Sequence, residues 1–97
     1  MWTVRLHAKT IKTLHALPVS VRKALEQLVF DLRANGPVMG SWPNYSKLDR
    51  ERHHCHVKKG RPTYVAVWQV GLEIQENGEE RRIIEVIYVG THEKAPY

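Results

Sequence analysis

With 97 residues, 42% of them hydrophobic, and a net charge of +5, the chain fits one soluble globular domain over 1–97 and not a disordered tail. Its apolar runs are too short to cross a bilayer, which sets a membrane role aside. The single Cys55 excludes a disulfide framework, and the start, MWTVRLHAKT, lacks the long apolar stretch of a signal peptide; both point to the cytoplasm.

Residues 2–6 alternate, with Trp2, Val4 and Leu6 on one side, and predict a first strand. Residues 8–16 predict a short helix with Ile11 and Leu14 facing inward and Lys9, Lys12 and Thr13 in water. A longer helix over 18–34 opens at Pro18, with Ser20 as an alternative cap, and carries Val21, Leu25, Leu28, Val29 and Leu32 as a core stripe. Asn35-Gly36-Pro37 ends it, because Gly supplies a left-handed cap and Pro forbids continuation. Residues 36–48 are a Gly/Pro-punctuated loop in which Trp42 and Tyr45 either stack on bases or fold back onto the core. Strands follow over 52–58, 63–72 and 82–89; Gly60 and Pro62 turn the chain between the first two, and Asn77-Gly78 marks a hairpin between the last two. The second of these strands is apolar on both faces, as a central strand is. The order β-α-α-β-β-β predicts an α+β fold, with two N-terminal helices packed on one face of a mostly antiparallel sheet and the other face free to bind.

Charge is unevenly spread along these elements. Residues 1–61 hold twelve Lys and Arg against four Asp and Glu, whereas 62–97 hold three against six. Such a cationic surface suits a polyanionic partner such as nucleic acid. The excess peaks in RHHCHVKKGR, residues 52–61, which has three of the six histidines and four of the fifteen Lys and Arg. On a strand, His53, Cys55 and Val57 point one way, and Arg52, His54, His56 and Lys58 the other. A row of imidazoles and cations can bind phosphate and move protons near neutral pH. Two other readings stand beside that one: a solvated polar face without chemistry, and a zinc site made by His54, His56 and His92. Cys55 reads as a small core residue, and His7 and His15 as structural or surface groups. The tail GTHEKAPY leaves the last strand near the 58–61 turn and carries His92 and Tyr97 toward the row.

Taken in order, several of these features resemble the RelE/ParE toxin superfamily of bacterial toxin–antitoxin modules. They are the first strand, the helix pair jointed at Leu17-Pro18, the helix ending in Asn35-Gly36-Pro37, Lys47-Leu48 before a basic strand, VAVWQV over 65–70 and IEVIYVGTHEKAPY over 84–97. The resemblance spans nearly the whole chain. It implies an endoribonuclease of the RelE or HigB type that cuts mRNA on the ribosome and is held by a cognate antitoxin, with no cofactor. It maps the strand cations of that branch onto His54 and His56, the residue after the Gly-x step onto His92, and the terminal aromatic onto Tyr97. Three departures stand out: His replaces Lys on the strand, Val65 occupies the place of a central-strand Arg, leaving Arg61 in the preceding turn to substitute, and the tail between Gly90 and Tyr97 is one residue shorter than the resemblance implies.

Metal-free RNA cleavage needs a base for the 2′-OH, cations for the phosphorane charge and an acid for the leaving 5′-oxygen. His54 or His56 is the expected base, and His92 the acid, with Tyr97 orienting it or stacking on a base. Lys58 and Arg61 are expected to clamp phosphate, while Lys47, Arg50, Arg52, Lys59 and Lys94 track the RNA backbone. Two alternatives remain: a ParE-like inhibitor of DNA gyrase, and a non-catalytic module that binds RNA or antitoxin.

Overall fold

The computed structural model describes residues 1–97. Strand β1 (Thr3–Leu6) leads into helix α1 (Ala8–Thr13) and a 3₁₀ turn (Leu14–Ala16), and then into helix α2 (Val19–Asn35). Strands β2 (Ser46–Lys47), β3 (Arg52–Lys58), β4 (Tyr64–Ile74) and β5 (Glu80–Thr91) follow, and a 3₁₀ turn (His92–Lys94) opens the tail. The sheet order is β1-β5-β4-β3-β2. Its only parallel pair is β1 with β5; the two helices follow β1 and carry the chain to β2 at the opposite edge, and the later strands return antiparallel until β5 meets β1. The α+β architecture expected from the sequence is therefore present, with one addition: two residues of the loop, Ser46 and Lys47, pair with His54 and His53 as an edge strand.

Helix α2 packs one stripe against the sheet. Val21, Leu25, Leu28 and Leu32 are buried there with Val4, Cys55, Ala66, Trp68, Ile84 and Val86. Each such aliphatic side chain contributes roughly 1.5–3 kcal/mol on burial. The stop at Gly36 has a steric cause beyond its positive φ of 89°: a Cβ there would lie 2.8 Å from Trp2 Nε1. Helix α1 differs from the sequence reading. The predicted helix over 8–16 stays α-helical only to Thr13, and Ile11 is exposed while Thr10 is buried. The inward position goes to Thr10 because its hydroxyl donates to the Val86 carbonyl at 3.4 Å. His7 takes a structural role, its Nδ1 accepting the Lys9 amide at 3.1 Å as a helix cap.

The loop before β3 folds onto the helix side of the sheet. Trp42 Nε1 donates to Asp31 Oδ2 at 2.9 Å, and Tyr45 stacks with both His53 and Trp68. Trp42 and Tyr45 thus take the second of their two predicted roles, as a cover for the core. Cys55 is fully buried, and burial pushes its thiol pKa up to about 12.

On the face away from the helices, Val65 and Val67 are also fully buried. They are the cross-strand partners of His56 and His54, and the tail lies near them. That face is not the open sheet surface expected from the sequence; part of it is a second small core roofed by imidazoles and Tyr97. No helix is long and apolar enough to cross a membrane.

Candidate active site

Strand alternation sets the site. His54 and His56 stand two residues apart on β3 and point away from α2, while the alternating His53 and Cys55 go to the core. The tail is brought alongside by the β4–β5 pairing, which sets Thr91 opposite Tyr64. The His92 amide then donates to the Thr63 carbonyl at 2.8 Å, fixing the turn that carries the His92 ring.

Four rings close into a circuit. The centroid distances are 6.1 Å for His54 to His56, 5.8 Å for His56 to His92, 5.8 Å for His92 to Tyr97 and 5.0 Å for Tyr97 to His54. Beside it opens a cleft of about 580 Å³ lined by His56, Gly60, Arg61, Pro62, Thr63, His92 and Glu93. That volume lies in the range of small-ligand sites. No side chain of the cleft mouth is apolar apart from Pro62, which suits a polar, anionic guest better than a greasy one.

Electrostatics separate the imidazoles. Partial burial lowers the His56 pKa below the ordinary histidine value, and electrostatic coupling to His54, His92 and Lys59 lowers it further. The lowered pKa favours the neutral, proton-accepting form of His56. The Ser46 hydroxyl lies 3.1 Å from His54 Nδ1 and orients that ring. Burial raises the Tyr97 hydroxyl, helped by Tyr88, so that Tyr97 keeps its proton. Arg61 is exposed at the cleft mouth, and Lys59 is exposed near enough to act on His56.

Lys58, expected to clamp phosphate, and Lys47, Arg50, Arg52 and Lys94, expected along the RNA backbone, lie outside the cleft. A β-bulge between His56 and Lys58 shifts the register and sets Lys58 opposite Tyr64, on the core-packed side of β4. Lys58 therefore leaves the histidine row and does not line the cleft. Lys47 and Arg50 line a different groove, near Val38 and Leu72, and Lys94 lies with Lys9 and Tyr64 on the far side of the tail. Arg52 points to the correct face, but its guanidinium is taken by Asp49 Oδ2 at 2.7 Å and the Pro96 carbonyl at 2.9 Å. His54, His56 and His92 do not form a metal-ligand set: no group of three or more His, Cys, Asp or Glu side chains is arranged to hold an ion.

Thr63 and Glu93 also line the cleft, although the sequence pattern does not single them out, and Tyr88 braces the strand end that leads to His92. The Tyr88 hydroxyl donates to the Thr91 carbonyl at 2.7 Å, and its ring lies across Gly90, where a Cβ would sit 2.6 Å from Tyr88 Oη. Tyr88-Val89-Gly90 carries the signal: an aromatic and a glycine two apart on a strand share a face, and the missing side chain makes room for the ring.

No protein-family model matches the chain. No curated protein matches it either. Among solved structures, the E. coli toxin RelE in the free state, bearing two Arg-to-Ala substitutions, superposes with a TM-score of 0.65. The alignment covers 97% of this chain and 86% of RelE, at 16% identity. The chain has the RelE fold. At that identity the likeness is one of backbone, and the chemistry has to be argued from the side chains of the cleft itself.

Proposed function

We propose that the chain is the toxin of a toxin–antitoxin pair and a metal-independent endoribonuclease that cleaves mRNA on the ribosome. The observation that carries this reading is the edge-to-face meeting of His56 and His92 at the rim of a cleft that also holds Arg61. Two imidazoles on one small polar cleft are what a general base and a general acid require.

In the proposed reaction neutral His56 takes the proton of the 2′-OH, and the 2′-oxygen attacks the adjacent phosphorus. Arg61 contacts the non-bridging oxygens as negative charge develops on them. The bond from phosphorus to the 5′-oxygen breaks, and His92 as imidazolium protonates that oxygen. The products are a 2′,3′-cyclic phosphate, which can hydrolyse to a 3′-phosphate, and a 5′-hydroxyl. His54 and Tyr97, outside the cleft lining, contact His56 and His92 respectively and keep those rings in place. Lys59 adds field at the cleft, and the surplus of cations in 1–61 draws both RNA and an acidic antitoxin segment.

Expression from a tight promoter, with mRNA 5′ ends mapped alongside a gyrase supercoiling assay, tests the reading. Cuts in mRNA that vanish in His56→Ala or His92→Ala support it. Growth arrest with intact mRNA and inhibited gyrase would instead assign the chain to the gyrase-binding alternative.

A further inference from the structure

The tail beyond β5 runs from His92 to Tyr97 across a sheet face, and ends of this kind fray unless they are tied down. Two ties act at its start: the Tyr88 hydroxyl on the Thr91 carbonyl, and the His92 amide on the Thr63 carbonyl. One tie acts near its finish, from Arg52 Nη1 to the Pro96 carbonyl at 2.9 Å. Arg52 is itself immobilised. Its Nε donates to Asp49 Oδ2 at 2.7 Å, and Asp49 Oδ1 accepts the amides of Glu51 and Arg52 at 3.1 and 2.9 Å. These bonds hold the Asp49 carboxyl pKa down at about 2, so the support persists through the neutral range.

We propose that Arg52 is a positioning residue: with Asp49 as its anchor it pins the Pro96 carbonyl, and so holds the Tyr97 ring against His54 and His92 and keeps the ring circuit beside the cleft closed. Its catalytic consequence rests on the ribonuclease reading above; its structural consequence does not. The role differs from that of a cation that follows the RNA backbone. Removing a cation that touches an RNA phosphate weakens binding and lowers the salt dependence by about one counterion. Removing a positioning group leaves the salt dependence alone and slows turnover, since misplacement by about 1 Å can cost ~10²-fold.

The test compares Arg52→Ala, Arg52→Lys and Asp49→Asn in the full chain by two readouts. The first is the nuclear Overhauser effect between the Tyr97 ring and the His54 imidazole, whose centroids are 5.0 Å apart. The second is kcat and KM for RNA cleavage at several salt concentrations. Arg52→Ala is expected to abolish the ring-to-ring signal and about tenfold or more of kcat, with KM and salt slope held. Arg52→Lys keeps the charge but cannot grip Asp49 and Pro96 together, so it is expected to behave like the Ala variant. Asp49→Asn leaves the Arg52 side chain whole and is expected to weaken the same signal even if Arg52→Ala fails to fold. A full ring-to-ring signal in both Arg52→Ala and Asp49→Asn overturns the proposal, as does a Lys variant that matches wild type while the Ala variant loses only affinity. If the wild-type chain cuts no RNA, the ribonuclease reading fails and the ring-to-ring signal still decides the positioning role.

Discussion

His56, on β3, and His92, in the turn after β5, meet edge to face with their centroids 5.8 Å apart and their planes at 74°. They are separated in sequence by the whole β4–β5 hairpin. The hairpin register, with Thr91 opposite Tyr64, is what returns the second imidazole to the first.

Activity is expected to fall on acidification later than an ordinary histidine would dictate. Burial, His54, His92 and Lys59 lower the His56 pKa, and the base must be neutral. The acid limb of kcat/KM against pH should therefore lie below the usual ~6.5. Replacing His56 by Ala should remove that limb and cost on the order of 10²-fold or more in rate. Steady-state cleavage of a short RNA across pH 5–8 measures both.

Arg61 and Lys58 should separate. Arg61 lines the cleft, whereas the bulge after His56 turns Lys58 out of it. Arg61→Ala is expected to lower kcat/KM by at least ~10-fold, the scale of one charge-assisted bond to phosphate. Lys58→Ala should stay within about twofold of wild type in the same assay.

Gly90→Ala should damage the site without touching it. The new methyl would lie 2.6 Å from Tyr88 Oη and 2.9 Å from its Cζ. Overpacking of this kind costs roughly 1–3 kcal/mol and should lower the melting temperature by several degrees. In a Tyr88→Ala background the same change should cost much less, which a double-mutant cycle of denaturant midpoints measures.

Stability should fall below neutral pH through His53. Burial lowers its pKa first, and Lys47 lowers it further against the opposing pull of Asp49. A folded-state value below the unfolded ~6.5 means that the unfolded chain binds the extra proton more readily. The contribution is complete above ~6.5 and is lost as pH falls through the lowered folded value. His56 has the same sign. Urea midpoints at pH 7.5 and 5 should differ in wild type, and His53→Gln should shrink that difference.

Much of this arrangement is readable from residue patterns, and the parts that are not have physical reasons. The α2 stripe and the 52–58 strand follow from helical and strand periodicity, which reports faces well. Ile11 escapes the pattern because a helix of six residues shows less than two full turns, too few to fix a face, and a hydroxyl bond decides instead for Thr10. Lys58 escapes it because alternation assumes an unbroken strand, and a bulge depends on the partner strand. The convergence of His92 and Tyr97 on β3 follows from the hairpin and the length of the tail. The capture of Pro96 by Arg52 does not, since it joins groups 44 positions apart through a backbone carbonyl that carries no sequence signal.

The chemical ends of the cut RNA test the central claim most directly. Fragments from cells expressing the wild-type chain should carry 2′,3′-cyclic phosphate or 3′-phosphate on one side and 5′-hydroxyl on the other, and should be absent with His92→Ala. Fragments ending in 5′-phosphate and 3′-hydroxyl, or cuts that persist when both His56 and His92 are replaced, would contradict an imidazole pair acting on the 2′-OH.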